Sequence, residues 1–335
     1  MEHLQGAYVN ALIDEIKKGL KEKFDTVFIG GGTPTALPLN WLLKIIETVR
    51  KSEFCADVCE FTVEANPATV DFKGLLQLRK AGVNRISIGL QSANDDELKV
   101  LGRIHDYSAF LTTYAMARDA GFDNINVDLM FSLPNQTKEK FKSTLEQVIN
   151  LSPEHISCYS LIVEENTPFS SMDFDYPTED EDREMYLMCV QLLREHGYEH
   201  YEISNFCKPG FYCKHNLKYW DRVNYYGFGA GAHSLIDNVR FENTADIEVY
   251  TRENRKTAEV LSRYDIEKEF IFLGLRKMSG ISLSEYKSLF GQDFLEKYEK
   301  TISKFKDFSR VEGDYFRLNI DGISVSNTIL SYFML

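Results

Sequence analysis

The sequence predicts an open, partial α/β barrel of the (β/α)6 type, followed by a smaller helical, winged-helix-like unit. Three observations carry this prediction. Short β-branched runs alternate with helical patterns through the first two-thirds of the chain, the mark of parallel strands joined by right-handed crossovers. The strand runs read as near-continuously apolar, as expected where both faces of a sheet are covered. After about residue 245 the alternation stops, which divides the chain into a barrel over 1–245 and a small C-terminal unit over 246–335.

The elements follow in order. Val9, Leu12, Ile13, Ile16 and Leu20 recur at helical spacing. A strand over Thr26 to Ile29 runs into Gly30, Gly31 and Gly32, and a helix covers about 38–50. The strand Phe61 to Ala65 precedes the turn signal Asn66-Pro67. Helix 71–81 stops at Gly82, the strand Arg85 to Leu90 follows, and a helical pair spans 94–120. Ile125 to Phe131, His155 to Val163 and Tyr198 to Ser204 read as strands, with helices over 137–150 and 178–196 between them. That makes five or six units, which suits an open barrel better than a closed eight-fold one. Residues 264–305 look wholly helical, and the tail reads as a hairpin with a short helix, its turn placed at Asp321-Gly322.

The formal charge of −13 disfavours a general role on nucleic acid or an anionic membrane surface. The start of the chain has no basic segment leading into an apolar core, so it reads as an amphipathic helix and not a signal peptide. No apolar run reaches the length of about 18 residues that spans a bilayer. The expected compartment is the cytoplasm, and the six cysteines are expected as free thiols.

In such barrels ligands sit at the carboxyl ends of the strands. The unusual residues lie there: Gly30 to Thr33, Glu64, Gln91 and Asp128. Three glycines let backbone N–H groups approach an anion without obstruction. The motif is neither a Walker A nor a dinucleotide fingerprint. Glu64 can accept hydrogen bonds from an amino group or ribose hydroxyls. Arg103 can pair bidentately with a carboxylate. Asp128, inside an apolar strand, needs a partner or a ligand. His215 sits in Cys-Lys-His-Asn-Leu-Lys-Tyr-Trp, residues 213–220. Imidazole ligates heme iron, and Tyr219, Trp220, Tyr225, Tyr226 and Phe228 supply flat apolar walls; the structural alternative is a core aromatic cluster with His215 hydrogen-bonded inside it.

GGGTPT, VEANP, RISIGLQS, LGRIH and VDLMFSLPNQT, in this order and spacing, resemble the oxygen-independent coproporphyrinogen oxidase branch of the radical SAM superfamily. The resemblance covers nearly the whole chain. It implies that Gly30, Gly31, Gly32 and Thr33 bind the methionyl end of S-adenosylmethionine (SAM). It also implies that Glu64, Gln91, Arg103 and Asp128 contact the nucleoside or a second SAM. The His-Asn-x-x-Tyr-Trp string resembles the signature of the HemW-type heme chaperones within that branch, which makes His215 the implied ligand of heme iron. The implied cofactors are SAM, heme and a four-iron four-sulfur cluster. The implied partners are heme-acceptor proteins, membrane-associated respiratory proteins among them, with a homodimer as a further expectation.

The family holds its cluster with a Cys-x-x-x-Cys-x-x-Cys loop that this chain does not contain. The resemblance therefore implies a chain shortened through that motif and a barrel lacking its first strand. Cys55 and Cys59 have the first spacing without the third cysteine. The family also has glycine where this chain has Ser132. Three readings stand: a heme chaperone whose chain does not cleave SAM, an oxygen-independent coproporphyrinogen III oxidase, and a scaffold that binds neither ligand.

Overall fold

The computed structural model describes residues 4–334 except 56–57, 165–168, 170–171, 173 and 254. Helix α1 (Gln5–Gly19) leads into β1 (Thr26–Ile29), α2 (Leu39–Arg50), β2 (Glu60–Ala65), α3 (Phe72–Lys80) and β3 (Arg85–Gln91). Then come α4 (Asp95–Val100), α5 (Tyr107–Asp119), β4 (Ile125–Phe131), α6 (Lys138–Leu151), β5 (His155–Ser160) and α7 (Glu179–Glu195). The caps explain several helix starts. The side chains of Asp71, Asn94, Asp106 and Thr137 accept backbone N–H groups of the first turns, and Thr178 with Glu181 closes a capping box.

Strands β1 to β5 are parallel and adjacent in chain order. The sheet is completed by a hairpin, β6 (Glu199–Glu202) and β7 (Asn205–Cys207), in the order β1-β2-β3-β4-β5-β7-β6. Two residues separate β6 from β7. That is too short for a parallel crossover, so β7 pairs antiparallel with both β6 and β5. The last unit of the predicted barrel is thus a hairpin at the far edge of five parallel strands.

The strand pattern corrects the near-continuous apolar reading. Phe61, Val63, Ile86, Ile88, Leu90, Ile125, Val127, Leu129 and Ile156 form the face buried under the helices. The residues between them are polar: Glu60, Thr62 and Glu64; Arg85, Ser87 and Gln91; Asn126 and Asp128; His155 and Ser157. Because side chains alternate across a strand, the second face is a polar barrel interior.

Helix α8 (Lys214–Trp220) follows the hairpin. A small sheet comes next, in the order β10-β9-β8, from β8 (His233–Ile236), β9 (Val239–Asn243) and β10 (Lys256–Val260), with α9 (Ile247–Glu253) between the last two. This sheet spans residues on both sides of position 245. Buried Glu15 of α1 clasps it, accepting hydrogen bonds from Asn243 Nδ2 (2.8 Å), Tyr250 Oη (2.6 Å) and the Gly229 amide (3.0 Å) and pairing with Lys256 (2.6 Å).

The C-terminal unit contains α10 (Arg263–Gly274), β11 (Ile281–Ser282), α11 (Leu283–Phe290), α12 (Phe294–Lys297), α13 (Glu299–Lys304), β12 (Ser309–Glu312), β13 (Tyr315–Leu318), α14 (Ile320–Ser324) and α15 (Ser326–Met334). The three strands pair as β11-β13-β12 against the helices. The hairpin turn is not at Asp321-Gly322. It lies at Gly313-Asp314, where Gly313 takes a φ of 59°. Gly322 is helical, and a Cβ there would come within 2.1 Å of the Phe308 carbonyl oxygen. No helix among the described residues is long and apolar enough to cross a membrane.

Candidate functional site

The first cluster lies where β1, β2 and β3 end. Gly31 and Gly32 have φ angles of 81° and 69°, and a Cβ on either would meet nothing within 4 Å. The loop after β1 is therefore an open cradle of backbone N–H groups. Glu64 closes one side, its Oε2 accepting the Gly31 amide at 3.2 Å. Gly30 packs between Phe28 and Glu64, where a Cβ would come within 2.6 and 2.8 Å of their side chains. Thr33 Oγ1 accepts Asn66 Nδ2 at 2.7 Å, tying this loop to the turn after β2.

Gln91 ends β3 with a φ of 72°, next to an irregularity in the pairing with β4. Its amide and the Asn66 side chain converge over Gly89. Asp128 lies one level deeper on β4, accepting Asn126 Nδ2 and Ser87 Oγ at 2.8 Å each. Burial and the charge of Asp128 raise the Glu64 pKa, against the Gly31 amide and Arg85. Burial lowers the pKa of Arg103, opposed by Asp128. Glu64, Arg103 and Asp128 thus share one field, and no described residue forms an ion pair with Arg103. Ser132 has a φ of 57°, left-handed backbone that favours glycine. Its hydroxyl donates to Asp182.

His215 lies at the opposite end of β1. Thr26, which it contacts, is about 13 Å along the strand from Gly30 at ~3.3 Å per residue. Nδ1 of His215 is 3.0 Å from Thr26 Oγ1, and Nε2 is 3.3 Å from the Tyr219 hydroxyl. Phe28 stacks on the ring at 5.3 Å, while Tyr219 meets it edge-on and Tyr225 packs on Tyr219 at 4.6 Å. Burial, against the field of Glu60, pushes the imidazole pKa down to about 4. The ring is therefore neutral, as an iron ligand must be. Trp220 is not part of this wall; Arg276 sits over its indole at 5.7 Å.

A buried polar chain joins the two ends, and sequence reasoning missed it. Glu60 accepts the amides of Lys214 and His215 at 2.9 Å each, fixing the start of α8 inside the barrel. Tyr201 Oη accepts the Cys213 amide at 3.3 Å and meets His155 Nε2 at 2.7 Å. His155 Nδ1 meets Asn126 at 2.5 Å, and Asn126 reaches Ser87 and Asp128. The period-two polar residues in the strands were the signal that would have found it.

The cradle suits an amino acid joined to a nucleoside: amide donors and Arg103 for a carboxylate, Glu64 and Asp128 for an ammonium group or ribose hydroxyls. The His215 pocket suits heme, since it offers a neutral imidazole between aromatic rings. An iron–sulfur cluster does not fit the residues present. Among the described residues no three His, Cys, Asp or Glu side chains form a metal-holding group. Cys55 and Cys59 precede β2, at the end of the barrel away from the cradle. Burial holds Cys207 and Cys213 as thiols, with pKa values of about 12 and about 11.

The sequence model of the radical SAM superfamily matches residues 5–148, and that of the HemN C-terminal domain matches residues 261–323. The heme chaperone HemW of Lactococcus lactis is 35% identical over 339 residues, covering 98% of this chain and 89% of that protein. HemW of Bacillus subtilis is 40% identical, covering 85% of this chain and 79% of that protein. HemW of Escherichia coli is 39% identical over 68% of this chain and 60% of its own length. The solved structure of coproporphyrinogen III oxidase (HemN) from Escherichia coli superposes with a TM-score of 0.86 at 21% identity, over 99% of this chain and 84% of that one. That likeness shows a shared fold, with the curled barrel and the C-terminal unit in common. The matches to the HemW proteins go further, and the chain belongs to the HemW heme chaperone family of the radical SAM superfamily.

Proposed function

We propose that this chain binds heme through His215 and passes it to acceptor proteins, with SAM held in the Gly30–Thr33 cradle as a ligand. The observation that carries the heme reading is the state of His215. Its ring is neutral, Nδ1 is anchored on Thr26, and Nε2 is held only by a long contact to Tyr219. Movement of the Tyr219 side chain away from Nε2 frees it for iron while Nδ1–H donates to Thr26 and keeps the ring oriented, the arrangement that metal-binding histidines use. Bound heme supplies an iron with axial positions to fill, and it is the cargo. A ligand set of one histidine and aromatic walls releases its cargo more readily than a pocket that closes both axial positions.

In the cradle, the amides of Gly31 and Gly32 and the Arg103 guanidinium would receive the methionyl carboxylate. Gln91 and Asp128 would face the nucleoside. The chain supplies no cysteine triad, so no reductive cleavage of SAM is assigned to these 335 residues. Membrane-associated respiratory acceptors, a homodimeric form and a cytoplasmic location belong to this proposal.

The test is transfer. Heme-loaded protein is mixed with an apo acceptor, and the Soret band is followed as heme moves. Transfer that is faster than from free heme and is lost in His215→Ala supports the reading. Transfer at the same rate without the protein overturns it. Decarboxylation of coproporphyrinogen would favour the oxidase reading instead.

A further inference from the structure

Arg85 is 2% exposed at the start of β3, yet its guanidinium makes no hydrogen bond or ion pair with any described residue, and its Nε is sealed without a partner. Thr62 stands beside it in register on β2, and its Oγ1 is also sealed and unpartnered. Both side chains project into the barrel interior. A buried cation without an acceptor is among the costliest groups a fold can hold.

The neighbouring groups, Cys213 and Glu60 foremost, offset the burial of its charge and raise its pKa, but they leave its hydrogen-bond donors empty. Glu60 is engaged by the amides of Lys214 and His215 at 2.9 Å each, and Cys213 Sγ donates to it at 3.5 Å. Asp128 is engaged by Ser87 and Asn126. They supply a negative field around Arg85 without occupying its donors. A guanidinium fork with nothing in it matches a carboxylate bidentately. With two carboxylates already near, a monoanion fits the surroundings better than a dianionic phosphate.

The position selects the ligand. Arg85 and the β1 residues that contact His215 face the same barrel interior. Arg85 is on β3 and the residues that hold the His215 ring, Thr26 and Phe28, are on β1, two strand spacings or about 10 Å away. That span is comparable to the reach from the iron of a porphyrin to an extended propionate arm. The imidazole already senses the guanidinium.

We propose that Arg85, with the Thr62 hydroxyl beside it, receives a propionate carboxylate of the heme whose iron meets His215; this rests on the heme reading above. Arg85 fixes the rotation of the porphyrin about the iron–histidine bond, and it selects tetrapyrroles that carry a free carboxylate.

The test is a Soret titration of wild type, Arg85→Met, Arg85→Lys and His215→Ala with heme and with heme dimethyl ester, whose carboxylates are blocked. Wild type should bind heme at least about tenfold more tightly than the ester. Arg85→Met should bind both alike, at the wild-type affinity for the ester, and Arg85→Lys should keep part of the preference. His215→Ala should weaken both ligands equally and keep the preference. Equal affinity of wild type for heme and ester overturns the proposal, as does a preference that survives Arg85→Met. If Arg85→Met does not fold, the wild-type ratio and Arg85→Lys decide, a lysine variant with the full wild-type ratio counting against a bidentate pair. Binding of neither ligand by wild type would remove the heme reading itself, and this inference with it.

Discussion

Nδ1 of His215 lies 3.0 Å from Thr26 Oγ1, so the first residue of β1 orients an imidazole 189 positions away in the chain. The hydroxyl fixes the ring and leaves Nε2 as the nitrogen to be released. Thr26→Val keeps the shape and removes that anchor. Heme affinity should fall about tenfold or more, in line with other outer-layer partners of metal-binding histidines. Spectroscopic titration checks this, and wild-type affinity in the Thr26→Val protein would show that the contact does not orient the ligand.

The depressed pKa of His215 makes a pH prediction. A proton competes with iron for the imidazole only below the folded value of about 4. An ordinary histidine, near 6.5, would lose about fivefold in affinity between pH 6.5 and 5.5. Here the His215 contribution should stay flat over that interval. The measurement is heme titration at pH 7.5, 6.5 and 5.5; a loss of about fivefold in the last step speaks against a neutral, buried ligand.

Glu202, fully buried where the β6–β7 hairpin meets α8 and the end of α10, titrates in the opposite sense. Burial pushes its pKa up to about 7, against the pull of Asn205, the Ser204 amide, the Trp220 indole and Arg276. None of these reaches hydrogen-bond geometry with the carboxylate oxygens. The native chain therefore keeps a proton that the unfolded chain releases above its ordinary value of 4.5. Stability from this group is present at low pH and is lost as pH rises through about 7, to the extent of about 3 kcal/mol. Glu202→Gln should melt with wild type at pH 5 and above it at pH 8. Identical melting curves at pH 8 would refute the assignment.

Gly31 and Gly121 both hold left-handed backbone with open space where a Cβ would go, at φ 81° and 88°. Gly31→Ala and Gly121→Ala should each cost about 1–2 kcal/mol. Gly31→Ala alone should weaken SAM binding, by about tenfold, because only there does the methyl enter the cradle. Calorimetric titration with SAM, beside thermal melts, separates the two effects. Equal SAM affinity in both variants would remove the cradle from the site.

The parallel strands and the glycine loop after β1 were legible because alternation of strand and helix leaves few arrangements open. The polar interior was not, because Ile86 and Ile88 around Ser87 look like a continuous apolar run until one asks which face each occupies. The β6–β7 hairpin was hidden for a related reason. Tyr198 to Ser204 reads as one strand, and only pairing reveals that the chain turns back at once. His215 was found from its motif, whereas its partner Thr26 lies in an unremarkable strand and Arg85 shows only through the period-two polar pattern of β3. Trp220 shows the limit of proximity in sequence, since a five-residue offset on a short helix turns it away from the imidazole.

The account depends most on His215 as the heme ligand. The direct measurement is heme titration of wild type and His215→Ala at pH 7.5, read in the Soret band. Wild type should give a saturable, shifted band, and the alanine variant should lose both the shift and at least about tenfold in affinity. A variant with the same band position and the same affinity as wild type would contradict it.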